Sequence, residues 1–230
     1  MPKHGKKYKE VAQLVDRTKK YSVEEAMELV KKLSYSKFPG SVEVHIKTGA
    51  DPRYQDQQIR GTVVLPHGTG KVVRVAAFVS DDKIEEAKKA GADIAGNQDL
   101  LAKIEKGEID FDVLVTTPDM IRELAKVAKI LWPKWLMPSP KAGTVTPNIA
   151  ATIQEIKKGR VEFKLDKTGN IHVSIGKVDF DTNKLVENFN ALLQAIEDAR
   201  PSGVKGRLIR KVVVAPTMWP GVPVEVQTLK

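Results

Sequence analysis

The chain has 230 residues, 41% hydrophobic and 29% charged, with no cysteine; it has material for one large domain or two small ones, and disulfides, thiolate metal sites and cysteine nucleophiles are excluded. Lys and Arg outnumber Asp and Glu 38 to 29, a net charge of +9 that attracts polyanions. No stretch approaches the roughly 20 consecutive apolar residues of a membrane helix, and the basic start MPKHGKKYKE has no apolar run behind it, so it does not read as a secretory signal.

In chain order, Ser22-Val-Glu-Glu25 is a capping-box pattern. Ala26, Leu29, Val30 and Leu33 follow at helical spacing, so a helix is expected over about 23–33. Val42, Val44 and Ile46 alternate with polar residues, the signature of a half-buried strand. From Val72 to Val79 the run is nearly continuously apolar, as in a strand buried on both faces. Asp81 or Asp82 can cap the helix that follows, ending near Gly91. Short apolar runs recur at Ala92–Ala95 and Val113–Thr116, with helical segments near Asp99–Lys106 and Asp119–Leu131. Strands alternating with helices imply a small parallel α/β layer.

After Gly159 the pattern changes. Val161, Phe163 and Leu165 alternate, Asp166-Lys-Thr-Gly-Asn170 supplies turn chemistry, and Ile171, Val173 and Ile175 alternate again, which reads as a hairpin. Leu185, Phe189, Leu192, Leu193 and Ile196 mark an amphipathic helix stopped by Pro201. Leu208–Val214 is a last strand, entering the loop Ala215-Pro-Thr-Met-Trp-Pro-Gly221. A helix and a strand at the start cannot bury their apolar faces alone. Pairing them with the C-terminal elements gives a discontinuous α+β domain from 1–67 and 160–230. An α/β domain of 68–159 is inserted in it, through connecting segments at Pro66–Gly70 and Lys158-Gly159. The two ends, 1–67 and 160–230, carry net +5 and +3 and the insert only +1, which favours a polyanion partner for the ends.

Motifs of catalysis are missing. Gly68-Thr-Gly-Lys71 has Leu65 where a phosphate-binding loop needs its first glycine, and Val72 where it needs Ser or Thr. No dinucleotide fingerprint follows the strand at 72–79. His4, His45, His67 and His172 lack metal-ligand spacing, and His45 and His172 fall in strand patterns as surface or edge residues. Asp81-Asp82 and Asp110-x-Asp112 stand at element starts, where capping accounts for them. No catalytic residue, cofactor or metal is expected. Lys37-Phe38 offers an aromatic beside a cation, suited to RNA or to a core position under a loop. Lys167-Thr168-Gly169 offers a cation, a hydroxyl and exposed backbone or simply a solvated turn.

Taken together, several stretches resemble the ribosomal protein L-one family of the large subunit. They are Met1-Pro-Lys-His-Gly-Lys, Lys37-Phe38, Asp56-Gln57 with Arg60-Gly61, Leu65-Pro66-His67-Gly68, Leu136-Met-Pro-Ser-Pro-Lys-Ala-Gly-Thr144, Asp166-Lys-Thr-Gly169 with Ile171-His172, Gly176-Lys177 and Thr217-Met218. The resemblance runs from Met1 to about Gly221. It implies the discontinuous α+β domain with an inserted Rossmann-like, three-layer α/β domain. It also implies direct binding to large-subunit ribosomal RNA, a mobile stalk, release of deacylated tRNA from the exit site, and in many members repression of the operon mRNA. A cytoplasmic, ribosome-bound protein, monomeric off the ribosome and with no membrane partner, is expected. Carried over, the RNA-contacting residues are Glu28, Lys37, Phe38, Ser41, Asp166, Lys167, Thr168, Gly169, Lys211, Thr217, Met218 and Trp219. Lys37 and Lys167 would neutralise phosphates, Thr217 and its loop backbone would hydrogen-bond RNA, and Phe38 would pack beside them. That requires Phe38 and Thr217 on one side of the molecule. Against this reading stand a nucleotide-dependent enzyme, suggested only by the inserted layer, and a free translational repressor.

The three tryptophans depart from the family pattern: Trp132, Trp135 and Trp219 stand where the resemblance implies glycine. One cause covers all three, namely UGA codons that the source reads as glycine. The alternative is aromatic recruitment for base stacking.

Overall fold

The computed structural model describes residues 5–16 and 18–225; Met1–His4, with the start of the N-terminal motif and His4, lie outside the described residues. In chain order the elements are α1 (Lys6–Ala12), α2 (Val23–Leu33), β1 (Ser41–Thr48), β2 (Arg60–Val64), β3 (Val75–Phe78), α3 (Asp81–Lys89), β4 (Ile94–Gly96), α4 (Gln98–Glu105), β5 (Val113–Thr116), α5 (Ile121–Leu124), α6 (Ala128–Leu131), α7 (Ile149–Lys158), β6 (Arg160–Lys164), β7 (Asn170–Lys177), α8 (Thr182–Asp198), β8 (Ile209–Pro216) and β9 (Val222–Val224). The structure is mixed α/β and divides into two compact units, Met1–Gly70 with Val161–Lys230, and Lys71–Arg160.

The first unit is built on an antiparallel sheet of order β7-β1-β8-β9. Strict alternation in β1 sends Val42, Val44, Ile46 and Thr48 inward and leaves Ser41, Glu43, His45 and Lys47 on the outer face. Two helices, α2 and α8, cover the inner face. The α2 helix starts as its sequence dictates: Ser22 Oγ accepts from the Glu25 N–H and Glu25 Oε2 accepts from the Ser22 N–H. It then buries Ala26, Met27, Val30 and Leu33, each larger side chain worth about 1.5–3 kcal/mol. On α8, Leu185, Phe189, Leu192, Leu193 and Ile196 enter the same core. Asn188 lies among them, fully buried, and its polar atoms are satisfied: its amide donates to Gly68 O and Ile175 O, and its carbonyl accepts from the His67 N–H. The outer edge of β9 is paired by Tyr21, whose N–H donates to Pro223 O and whose carbonyl accepts from the Glu225 N–H, so it offers no open ladder there.

The second unit has a parallel sheet of order β4-β3-β5. Its central strand, β3, is buried throughout because helices pack on both faces, as parallel strands joined by helical crossovers require. Ala76 and Phe78 face Leu100 and Ile104 of α4, Leu124 of α5 and Leu131 of α6. Val75 and Ala77 face Ala87 of α3 and Ile149, Ile153 and Ile156 of α7.

Several expectations are corrected. The hairpin over 161–175 closes only at its turn, through the Leu165–Ile171 bridge. Beyond it the strands part: β6 pairs with β2 in a sheet of its own, and β7 pairs with β1. Alternation shows that a strand has one buried face but not which partner it takes. The strand expected from Val72 begins at Val75, leaving Val72 exposed, because its neighbours β4 and β5 extend no further. At α3 the N-cap is Ser80, and Asp81 and Asp82 occupy the first turn, where they face the positive end of the helix dipole. The helix expected over 119–131 is split into α5, a 3-10 turn at Ala125–Val127, and α6. The sequence reading missed α1, β2, α7 and β9.

Candidate nucleic-acid interface

The fold gathers the sequence-derived residues into two clusters at the two ends of β1. At its start, the Thr217 N–H donates to Ser41 O at 3.0 Å and the Thr217 hydroxyl donates to Glu43 Oε1 at 2.6 Å. This fixes the loop after β8 against the first residues of β1, where the loop from α2 arrives. The same two loops meet again where the rings of Tyr35 and Trp219 pack at 5.8 Å, with Lys7 Nζ 4.6 Å from the Tyr35 ring centre. Phe38 is three residues before Ser41, so at most about 11 Å of chain separates them. Phe38 and Thr217 therefore lie at the same end. Phe38 is 71% exposed and Met218 89% exposed, and Lys37 is exposed beside them. A large apolar side chain is usually buried, so two held out in water next to a cation form a surface with stacking capacity.

Met218 has φ 72°, a left-handed conformation that costs a side-chain-bearing residue about 1–2 kcal/mol. It is held between Thr217 on Ser41 and the Trp219 N–H, which donates to Pro216 O. Backbone strain kept at an exposed loop tip is a feature of ligand-contacting segments.

The second cluster stands at the end of β1. Asp166 Oδ1 accepts from the N–H groups of Thr168 and Asn170 at 2.8 and 2.7 Å, and Oδ2 accepts from the Thr168 hydroxyl at 2.7 Å. Burial pulls the Asp166 carboxyl upward. The hydrogen bonds from Asn170, Thr168 and His172 outweigh it and hold the group well below the usual carboxylate range. Gly169 has φ 77°, and a Cβ there would come within 3.0 Å of Ala50 O. Its carbonyl accepts from both the N–H and the hydroxyl of Thr48, and Lys47 Nζ donates to Thr168 O, docking the turn on β1. Lys167 and Thr168 remain exposed. Lys211 is opposite Lys47 in the β1–β8 register, one strand further from the turn than Lys47.

The clusters are not one compact patch. The six residue steps of strand from Ser41 to Lys47 span ~20 Å. Glu28 is exposed on α2, in the helical layer on the opposite face of the sheet from Glu43, His45 and Lys47. Of the tryptophans, Trp135 has φ 59°, Trp132 is right-handed helical with φ −61° and ψ −49°, and Trp219 is half-buried against Tyr35.

Sequence reasoning missed what lies between the clusters. His45 and His172 are cross-strand partners, with their Nδ1 atoms 2.8 Å apart. The only hint was that each stands at an outward position of an alternating strand. Among the described residues no group of three or more His, Asp and Glu could hold a metal ion, and no described helix is long and apolar enough to cross a membrane.

Comparison with known proteins agrees with the resemblance. Residues 30–220 match the family described as "Ribosomal protein L1p/L10e family". The chain is 54% identical over 227 residues to the large ribosomal subunit protein uL1 of Kosmotoga olearia, covering 99% of this chain and 98% of that one. It is 53% identical over 230 residues to the proteins of the same name from Thermosipho melanesiensis and Thermosipho africanus, covering 100% of this chain and 99% of each of them. The match is end to end, and the chain belongs to the ribosomal protein L1p/L10e family.

Proposed function

We propose that this protein is a non-catalytic constituent of the large ribosomal subunit that binds large-subunit ribosomal RNA directly through the face defined by β1 and the loops at its two ends. Lys37, Phe38, Ser41, Thr217, Met218 and Trp219 form one contact. Asp166, Lys167, Thr168, Gly169 and Lys211 belong to the other, the buried Gly169 by shaping its turn, while Glu28, on α2 across the sheet, stands apart from both. A-form RNA presents phosphates and 2′-hydroxyls rather than a readable major groove. A face of cations, hydroxyls and fixed backbone groups suits it, and two contacts ~20 Å apart along one strand suit a folded RNA better than a single extended strand. The observation that carries this reading is the Thr217–Ser41–Glu43 clamp at one end of the strand, where Phe38 and Met218 stand exposed to solvent.

The same reading includes a place in the mobile stalk, help in releasing deacylated tRNA from the exit site, and repression of the protein's own operon mRNA. It also includes a ribosome-bound cytoplasmic location, a monomeric free protein, and an inserted unit (68–159) that is Rossmann-like in its layering and contributes no cofactor. Two experiments test it. The protein should co-sediment with large subunits. In filter binding to a large-subunit ribosomal RNA transcript, Thr217→Val should weaken affinity by at least ~10-fold, the worth of a charge-assisted hydrogen bond, whereas Lys88→Ala in the inserted unit should change it little. Equal losses in the two variants would refute the placement.

A further inference from the structure

Across the outer face of the sheet a chain of polar side chains joins the two clusters. Thr217 donates to Glu43 Oε1, and Glu43 Oε2 lies 3.7 Å from His45 Nε2. His45 Nδ1 meets His172 Nδ1 at 2.8 Å, and His172 Nε2 lies 3.5 Å from Asp166 Oδ2. Asp166 organises the turn that carries Lys167 and Thr168.

The proton count of this chain is unusual. Each carboxylate favours a proton on the Nε2 atom that faces it, and the hydrogen bond at one ring nitrogen sets the tautomer of the other. With both rings neutral and both Nε2 atoms protonated, two Nδ1 lone pairs would oppose each other at 2.8 Å. The neutral pair must therefore give up one Nε2–H and leave a lone pair facing a carboxylate. One additional proton removes the conflict: both Nε2–H groups then face carboxylates, and a single N–H lies between the two Nδ1 atoms.

We propose that His45 and His172 act as positioning residues that couple the two RNA-contacting loops, and that the pair takes up one proton when RNA binds. Affinity for RNA then rises as the pH falls through the neutral range. The inference rests on the RNA-binding reading above and adds two residues and a linked proton to it.

The surroundings of the pair set the direction. Glu43 on β1 and Asp166 in the turn before β7 favour the extra proton; Lys47 on β1 and Lys211 on β8 oppose it. Asn170 and Ser174 of β7 and Val213 of β8 are uncharged, and the inner face of the sheet is apolar. In the free protein, burial first and then the neighbouring His172 push the His45 imidazole down, more than Glu43 raises it, so His45 by itself disfavours the charged form. Phosphates brought against Lys47 and Lys211 neutralise the two opposing cations and add negative potential, which favours the charged imidazole. The doubly carboxylate-anchored, protonated pair in turn holds Glu43 against Thr217 and Asp166 in its turn.

The test is filter binding of the full chain to a large-subunit ribosomal RNA transcript at pH 6, 7 and 8 and constant ionic strength. It compares the wild type with His45→Asn, His172→Asn and the double variant. Asn retains a polar side chain and does not titrate. For the wild type, log Ka should fall with rising pH with a slope approaching −1, at most ~10-fold per pH unit for one proton. The double variant should give a flat profile, and each single variant, which lacks the nitrogen-to-nitrogen contact, a shallower one than the wild type, with thermal melts showing the fold intact. Parallel profiles for wild type and double variant would overturn the proposal, as would a flat wild-type profile. If the wild type binds the transcript no better than an unrelated RNA of equal length, the RNA-binding reading itself fails, an outcome separate from either profile.

Discussion

The residues that stand out are those whose backbone contradicts their side chain. Trp135 has φ 59° and is 89% exposed, so it incurs the left-handed penalty of about 1–2 kcal/mol and gains almost nothing from burial. Trp132 is also exposed but right-handed helical, where glycine costs about 1 kcal/mol. Trp135→Gly should therefore raise stability, by ~0.5–1 kcal/mol once the greater unfolded-state freedom of glycine is deducted. Trp132→Gly should lower it, and thermal melts of the two variants distinguish the outcomes; destabilisation by both would show that the Trp135 ring makes contacts worth more than its backbone strain. The reading of UGA as glycine thus has conformational support at 135 alone. At 219 the ring packs on Tyr35. An intact mass of the native protein lighter by three tryptophan-to-glycine differences is what the single cause requires.

Among the elements, α2 bears most directly on the interface, because its last turn feeds the loop that carries Lys37 and Phe38. Its start depends on the reciprocal Ser22–Glu25 bonds. Ser22→Ala should cost about 1 kcal/mol of unfolding free energy, while Ser22→Gly should cost only a few tenths. Chemical denaturation measures both, and equal losses would mean that the cap contributes little. This helix was legible to the residue because its cap is local and its apolar spacing fits only one face. The hairpin over 161–175 was legible only at its turn, since Asp166, Gly169 and Asn170 determine that turn among themselves. Both flanking strands find partners far away in the chain, and nothing within fifteen residues encodes β2 against β6.

At the scale of the molecule, binding should be electrostatic and divided between two contacts. Each lysine that neutralises a phosphate releases counterions, so log Ka falls with log salt in proportion to the contacts made. Lys167→Ala should reduce the magnitude of that slope by ~0.7–1 and weaken binding similarly for all RNA sequences. An unchanged slope in a salt titration would remove Lys167 from the phosphate contacts. Both ends of the sequence are basic, and both belong to the same compact unit.

The sequence by itself determined the class of structure, the α2 cap, the outward alternation of β1, the turn at Asp166 and, through its motifs, the family. All of these rest on local spacing or on order along the chain. Only the tertiary structure decided that Thr217 closes on Ser41 and Glu43, that β1 separates the two clusters, and that His45 and His172 stand nitrogen to nitrogen between them. Those facts depend on strand register between segments more than a hundred residues apart. A shift of one residue along β1 would turn Glu43 and His45 to the other face.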